Sequence, residues 1–366
     1  MAEEKKQESC PSEGCAGCAH ASTCTSQKKD FRKPANPYSA VRKVIGVISG
    51  KGGVGKSMVT ASLARMMIEK GYTAGILDAD ITGPSIPKMY GIHEQALGNE
   101  EGMLPCVAKD GTKIMSVNLL LEKEDTPVIW RGPIIAGVVT QFWTDVMWGD
   151  VDYLFVDMPP GTGDVPLTVF QSLPVDGVVI VTSPQDLVSM IVKKAYHMAK
   201  DMNIPVLGIV ENFSYLECPD CGRKIEVFGK SHIEDIAKEL EIPVLGRIPI
   251  DPKLTEAVEN EAFDQVNNAY LSDAAQVLDH DRLSPFKRTD GCTDRDAEPS
   301  YSESGQCVRI TLADTPGSEL GRILSDGGWS ALPWTISGKD SLYPDPSGTG
   351  SVRNCGTERS GAQSVR

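Results

Sequence analysis

Short continuous runs of apolar residues recur along the middle of the chain and alternate with segments of helical spacing. The runs lie at 44–48, 73–77, 153–156, 177–182, 205–210 and 243–248. Runs rich in Val, Ile and Leu are typical of parallel strands that are covered on both faces. Their alternation with helical segments predicts an α/β fold with a doubly wound, mostly parallel sheet.

The same pattern divides the 366-residue chain into three regions. Residues 1–40 are polar and rich in cysteine, and they end in a stretch with two prolines that resembles a linker. Residues 41–280 contain all six strand runs. Residues 281–366 show no sustained periodicity, and Gly, Ser and Pro make up about a third of them. Such a composition predicts disorder.

The basic residues also change at residue 281. Before it Lys outnumbers Arg by 20 to 6, and from there on Arg outnumbers Lys by 8 to 2. One explanation is a fused functional tail, and another is a reading-frame artefact, in which translated nonsense acquires a different composition. We favour an artefact or an unstructured tail over a folded domain. We therefore assign no role to the three cysteines of this region, Cys292, Cys307 and Cys355.

The most specific motif lies between the first strand run and the first helical segment. Residues 50–57 read GKGGVGKS, which fits the phosphate-binding pattern G-x-x-x-x-G-K-[ST]. In this pattern Lys56 reaches the β- and γ-phosphates, and the Ser57 hydroxyl holds Mg²⁺. The helix that follows is predicted to end near 70–71. The residues expected to surround the phosphates are Gly50, Lys51, Gly52, Gly53, Val54, Gly55 and Lys56.

Lys51 is an additional lysine in this loop, where Lys56 and Mg²⁺ already neutralise phosphate charge. The pattern K-G-G-x-G-K-S resembles the signature of the deviant-Walker P-loop ATPases, the group that contains MinD and ParA. The resemblance implies that Lys51 crosses a dimer interface and contacts phosphates bound by the partner chain. A charge supplied in this way can contribute about 10³–10⁵ in rate. The alternative is a solvated lysine in a glycine loop.

Carboxylates follow two of the strand runs, at the sheet edge where doubly wound proteins bind ligands. Asp157 ends an apolar run, as the Mg²⁺-binding Walker B aspartate does. The N–H of Gly161, in the loop beyond it, could contact a γ-phosphate. By resemblance, Asp80 positions or activates the attacking water, and Asp78 helps to hold Mg²⁺ or its waters. The alternative for each is an ordinary turn residue.

Asn212 follows a fifth strand run. In the family a matching Asn hydrogen-bonds the adenine of ATP, and the segment 249–252 also lies close to the base. From the sequence alone, Asn212 could instead be an ordinary turn residue.

Cys218 and Cys221 form a C-x-x-C pair directly after this segment. Two thiolates on a tight loop chelate a soft metal well, but a 4Fe–4S cluster or a structural zinc needs four ligands. The dimer implied by Lys51 would bring together two such pairs. The alternatives are a half-occupied zinc site and a redox pair without metal.

Taken together, the motifs resemble those of the Mrp/ApbC-type iron–sulfur cluster carrier ATPases, over residues 41–280. The segments that carry the resemblance are GKGGVGKS, DADITGPS, VDMPPGTGD and ENFSYLECPDCG. The resemblance implies a homodimer that binds ATP and Mg²⁺ and hydrolyses ATP. It also implies a bridging 4Fe–4S cluster that is passed to apo iron–sulfur proteins.

The N-terminal region carries four more cysteines: Cys10, Cys15, Cys18 and Cys24. The spacing C-x-x-C-x₅-C of the last three is similar to the N-terminal cluster motif of the family's cytosolic scaffold members. In those members the first cysteine lies much further upstream than Cys10 does here, so Cys10 does not match the family's first ligand position. The segment is expected to bind a second iron–sulfur cluster, with zinc as the alternative.

Charge and hydropathy exclude several classes of function. The net charge of −14 argues against non-specific nucleic-acid binding and against docking on an anionic membrane. The chain has no apolar run long enough to span a bilayer and no signal peptide, so we expect a cytoplasmic protein.

Two other functions remain as alternatives. A ParA- or MinD-like positioning ATPase would use a basic DNA-binding surface or a C-terminal membrane helix, and it would leave the cysteines unexplained. A nitrogenase-reductase-like electron donor also bridges a cluster across a dimer, but its cysteines lie in separate segments rather than in a C-x-x-C pair.

Overall fold

The computed structural model describes residues 31–81, 83–121, 132–184, 188–266, 269–279, 308–312 and 334–336. These residues form fourteen strands: β1 (Ser39–Ser49), β2 (Ala74–Asp78), β3 (Leu97–Asn99), β4 (Gly102–Met103), β5 (Cys106–Val107), β6 (Lys113–Met115), β7 (Gly149–Asp157), β8 (Gly177–Thr182), β9 (Val206–Glu211), β10 (Leu216–Glu217), β11 (Lys224–Ile225), β12 (Val244–Arg247), β13 (Val308–Leu312) and β14 (Trp334–Ile336).

The main sheet has eight strands in the order β12-β9-β8-β1-β7-β2-β6-β5. All neighbours are parallel except β5, which pairs antiparallel with β6. All six predicted strand runs lie in this sheet, so the doubly wound, mostly parallel fold is confirmed. The sequence did not predict β5 and β6, which are only two and three residues long.

The described part of the chain also forms eight α-helices: α1 (Lys56–Glu69), α2 (Ile86–Met89), α3 (Gly132–Thr144), α4 (Asp164–Ser172), α5 (Val188–Asp201), α6 (Ile233–Leu240), α7 (Pro252–Glu259) and α8 (Ser272–Asp279). From the central β1 the chain moves outward to β2 and β6, returns to β7, and then continues through β8 and β9 to the other edge. Because crossovers between parallel strands are right-handed, this reversal puts helices on both faces of the sheet.

Helix α1 shows how the sequence sets one of these boundaries. Its side chains Val59, Leu63 and Met67 are completely buried, and they recur at the four-residue spacing of one helix face. The helix ends where Gly71 takes a φ of 87° and donates its N–H to the Ile68 carbonyl at 2.9 Å. The predicted end at residues 70–71 is confirmed.

The short strands form two smaller sheets. β10 and β11 make an antiparallel hairpin, whereas β14, β13, β3 and β4 form a four-stranded sheet. Within the region 281–366 the structure describes only β13 and β14, so its expected disorder or artefactual origin stays a prediction. Among the described residues, no helix has the length and apolar character needed to cross a bilayer.

Candidate functional site

The predicted phosphate loop connects the end of β1 to the start of α1. The backbone at Gly53 and at Gly55 has a φ of 77°, a left-handed conformation that glycine adopts without steric cost. Gly55 is the N-cap residue of α1, which begins at Lys56. The turn therefore leads directly into the N-terminus of a helix, where unpaired N–H groups and the helix dipole favour a phosphate.

Two of the loop glycines lie too close to other segments to carry a side chain. A Cβ at Gly50 would lie 1.6 Å from Cγ2 of Ile191 in α5, and a Cβ at Gly55 would lie 2.1 Å from Nδ2 of Asn212. Both values are far below contact distance, so α5 and the segment after β9 pack directly against the loop.

Asp157, the last residue of β7, is the acceptor at the centre of a buried hydrogen-bond network. Its Oδ1 accepts hydrogen bonds from Lys56 Nζ and Thr60 Oγ1, both at 2.8 Å. Its Oδ2 accepts one from Ser57 Oγ at 2.5 Å. Asp157 is 0% exposed and Lys56 is 6% exposed. The structure thus brings three of the predicted site residues together and fixes their side chains.

The carboxylates that follow β2 lie beside this network. Asp78 is directly opposite Asp157 in the parallel register, and its Oδ2 accepts a hydrogen bond from Ser116 Oγ at 3.0 Å. Burial raises the pKa of Asp78 well above its usual range, and the neighbouring Asp157 carboxylate raises it further. Oδ2 of Asp80 lies 3.6 Å from Lys56 Nζ.

These oxygens suit a magnesium ion, which prefers carboxylate and hydroxyl ligands in an octahedral arrangement with water. The Ser57 hydroxyl and the Asp157 carboxylate are adjacent, and Asp78 lies on the neighbouring strand. The predicted Mg²⁺ residues therefore fit the ion in chemistry and in position.

The predicted phosphate contact at Gly161 stays a prediction, and in the structure its N–H has a backbone acceptor. Gly161 has a φ of 93°, and its N–H donates to the Ser49 carbonyl at the end of β1, at 2.8 Å. The Ser49 hydroxyl in turn donates to the Lys51 carbonyl at 3.0 Å. The loop after β7 is therefore tied to the phosphate loop, and Gly161 must release Ser49 before its N–H can contact a phosphate.

Asn212 is also held by the phosphate loop. Its Nδ2 donates to the Val54 carbonyl at 2.9 Å, and its Oδ1 accepts from the backbone N–H of Phe213 at 2.9 Å. The side chain is completely buried. The expected contact with adenine stays a prediction, and the structure adds a role that the sequence did not indicate, which is to position the loop.

The C-x-x-C pair lies at the tip of the β10–β11 hairpin. The Cys218 N–H donates to the Arg223 carbonyl at 3.0 Å and the Gly222 N–H donates to the Cys218 carbonyl at 2.9 Å, which closes the turn. Cys221 is exposed and Cys218 is partly exposed. Backbone N–H groups of Cys221 and Asp220 lower the pKa of Cys218, which favours the thiolate, the form that binds metals.

Further ligands for this pair are absent from the part of the chain that the structure describes, where no three His, Cys, Asp or Glu side chains are grouped to hold a metal ion. The four cysteines of the predicted N-terminal site lie outside the described residues. They are Cys10, Cys15, Cys18 and Cys24.

Comparison with known proteins identifies the family. The family model described as ParA: NUBPL iron-transfer P-loop NTPase matches residues 40–280. The chain belongs to this family. The match coincides with the range over which the sequence resembles the cluster carrier ATPases, and that resemblance is confirmed.

Individual relatives agree with this assignment. The chain is 49% identical over 261 residues to the iron–sulfur cluster carrier protein of Clostridium perfringens, covering 67% of this chain and 92% of that protein. It is 47% identical over 249 residues to the protein of the same name from Methanocaldococcus jannaschii, covering 66% and 86%.

A solved structure of a nucleotide-binding protein from Archaeoglobus fulgidus, in complex with ADP, has a similar fold. The TM-score is 0.56 at 41% sequence identity, and the similarity covers 62% of this chain and 88% of that one.

Two polar residues of the NTPase site were missed in the sequence. Thr60 lies one helical turn after Lys56, a spacing that puts both on the same face of α1 and that could have indicated its contact with Asp157. Ser116 follows β6, a strand that the sequence did not predict, so no signal pointed to it.

A third buried carboxylate, Glu211, was also missed. It is 1% exposed and accepts hydrogen bonds from Ser214 Oγ at 2.5 Å and from Ser231 Oγ. Arg247 Nε lies 3.7 Å from its Oε2. This network fixes the segment between β9 and the cysteine hairpin.

Proposed function

We propose that this chain is an ATP-binding and ATP-hydrolysing carrier that holds a 4Fe–4S cluster between two copies and passes it to apo iron–sulfur proteins. The observation that carries this proposal is the link between its two sites. Asn212 bonds the phosphate loop and precedes Cys218 by only six residues. The names of the relatives at 49% and 47% identity support it.

In the proposed reaction, the glycine loop and Lys56 bind the phosphates of ATP. Asp80, which lies close to Lys56, positions the attacking water. Lys51 extends to the phosphates of the partner chain, where its charge stabilises the transition state. Asn212 contacts the base, and Gly161 contacts the γ-phosphate.

Magnesium, when bound, would neutralise phosphate charge that develops during hydrolysis. Ser57 and Asp157 would hold the ion directly, and Asp78 would hold one of its waters. Lys56 keeps the Asp157 carboxylate oriented through their 2.8 Å contact.

The cargo site needs a dimer because each chain offers two thiolates and a 4Fe–4S cluster takes four. Cys218 and Cys221 of two copies supply them. Cys15, Cys18 and Cys24, with Cys10 as a fourth residue, form a separate N-terminal iron–sulfur site. We expect a cytoplasmic protein that binds neither nucleic acid nor membranes.

Iron and sulfide analysis of anaerobically purified protein tests the cargo site. In a full-length background with all four N-terminal cysteines changed to alanine, Cys218→Ala or Cys221→Ala should each remove the cluster completely. Either substitution leaves only two thiolates in the dimer, which cannot hold a cubane. ADP binding should match that of the parent when both are compared without cluster, because the phosphate site shares no residue with the cysteine turn.

Full metal content in these variants would contradict the bridging site, and zinc in place of iron would indicate a structural role. Transfer is tested with an apo 4Fe–4S protein as acceptor. Delivery of electrons without delivery of iron would identify an electron donor instead of a carrier.

A further inference from the structure

The cysteine hairpin and the residues directly after it expose several large apolar side chains. Ile225, Val227 and Phe228 are 44%, 51% and 44% exposed. Across the described residues only eight large hydrophobic residues are exposed, and three of them lie within the four positions 225–228. Scattered exposed apolar residues are normal, but a contiguous group indicates a contact surface. We call these three side chains the hairpin surface.

The hairpin surface lies immediately beside the cysteine turn. Ile225 pairs with Leu216 in the β10–β11 ladder, and Cys218 bonds Arg223 at its end. Ile225 is two residues beyond Arg223, about 7 Å along an extended strand. All residues from 221 to 230 are exposed. The apolar side chains therefore contribute little to this chain's own core.

The charge of the hairpin also differs from that of the whole chain. The chain carries −14, which opposes self-association in general. The segment 217–230 has three acidic and three basic residues and is formally neutral; they are Glu217, Asp220, Glu226, Arg223, Lys224 and Lys230. A two-fold contact between two such hairpins therefore avoids the general repulsion and can pair acidic with basic side chains.

We propose that the hairpin surface is the contact through which a second copy of this chain closes over the shared cluster. This inference rests on the proposed function, since it assumes a cluster bridged by the two cysteine pairs. Apolar side chains around the thiolates exclude water and chelators from the cluster, which controls its stability. The second copy is the occupant because the formally neutral segment 217–230 can pair with a copy of itself, and because a second C-x-x-C pair would supply the two thiolates that one pair lacks.

The small size of the surface predicts how the contact behaves. A stable protein–protein interface buries about 800 Å² on each partner, far more than three half-exposed side chains can provide. The hairpin contact therefore needs the cluster, or the nucleotide-bound faces of the two chains, to hold it together. Its separation exposes the cluster to an acceptor protein.

The test compares two surface substitutions in the full-length chain. Val227→Ser combined with Phe228→Ser removes most of the hairpin surface, and Val227→Ser alone guards against a folding defect at Phe228. Val107→Ser is the matched control, because Val107 is 63% exposed on the edge strand β5. Cluster-loaded samples are compared by sedimentation velocity and by the rate at which a ferrous chelator bleaches the cluster absorbance.

The double variant should lose its cluster to the chelator at least about tenfold faster, because burial of each apolar side chain contributes a factor of this order. The Val227→Ser variant should lose it several-fold faster, and the cluster-loaded dimer should dissociate at higher protein concentration. The Val107→Ser control should match the parent. ADP affinity and melting temperature without cluster should not change in any of them.

Unchanged chelation and dimerisation in both hairpin variants would overturn the inference. If transfer to the acceptor alone is slowed, the surface binds the recipient instead of a second copy. Failure of the proposed function is distinguishable, because the parent would then bind no cluster through Cys218 and Cys221.

Discussion

The phosphate site and the cysteine hairpin are built by opposite physical means. Asp157 and Lys56 are almost completely buried, and each hydrogen bond around them is made within the chain. The segment from 221 to 230, which includes the second strand of the hairpin, is exposed at every residue. One site is organised before any ligand arrives, whereas the other presents ligands that a second component has to complete.

This difference shows where substitutions should affect the fold and where they should affect only binding. In the phosphate site, side chains hold one another, so removing one disturbs the rest. In the hairpin, side chains contact mainly solvent, so a substitution there should change cargo binding and little else.

The largest expected effect is that of Lys56→Ala. It removes the cation that binds the phosphates and that pairs with buried Asp157, so hydrolysis should fall at least about 10³-fold.

Asp80→Ala should also lower hydrolysis strongly. Thr60→Ala removes one hydrogen bond to Asp157 and should lower hydrolysis far less. Steady-state phosphate release measures all three rates. A Lys56→Ala protein that still hydrolyses ATP at the parental rate would contradict the assignment of this loop as the ATP-hydrolysing site.

Lys51→Ala should lower turnover by about 10³-fold, the lower end of what a charge supplied in trans contributes, and leave the affinity for ATP unchanged. The reason is that the proposed contact is made to the partner chain during hydrolysis. Comparison of turnover with equilibrium binding of a fluorescent ATP analogue separates the two effects. Hydrolysis at the parental rate would show that the deviant-Walker role of Lys51 is wrong.

Asn212→Ala should destabilise the protein by about 1–3 kcal/mol, because it leaves the buried Val54 carbonyl without its donor. The melting temperature should fall and ADP should bind more weakly. Asn260→Ala, at an exposed residue, is the control. A normal melting temperature with weakened ADP binding would indicate that Asn212 acts through the base alone.

Cys106 on β5 and Cys218 in the hairpin turn should differ in reactivity as the pH changes. Burial raises the pKa of Cys106 to about 11, whereas backbone hydrogen bonds lower the pKa of Cys218. Since the thiolate is the nucleophile, iodoacetamide should modify Cys218 several-fold faster than Cys106 between pH 7 and pH 9 in cluster-free protein. Mass spectrometry of the modified peptides across pH measures this, and equal rates would contradict the difference in environment.

The smallest effect is expected from deletion of residues 281–366, which should leave the melting temperature, ATP hydrolysis and cluster content unchanged. The composition break at residue 281 motivates this expectation. A lower melting temperature would show that the pairing of β13 with β3 is an integral part of the fold.

The sequence predicted those parts of the molecule that are determined by the pattern of residues within one short segment. Long apolar runs identified six strands, and the glycine pattern located the phosphate loop. It could not predict β6, which is too short to show a pattern, or Ser116, whose position depends on that strand. The tie between Asn212 and Val54 was also hidden, because two residues far apart in sequence meet only once β1 and β9 lie in one sheet.

The shared backbone between Asn212 and Cys218 places the two sites under thermodynamic linkage. If a bound cluster changes the affinity for a nucleotide by some factor, the nucleotide changes the affinity for the cluster by the same factor, because such coupling is reciprocal. Nucleotide affinity can therefore be used to measure a change in cluster affinity. The affinity for ADP, measured with and without cluster, reports how far ADP tightens or loosens the hold on iron.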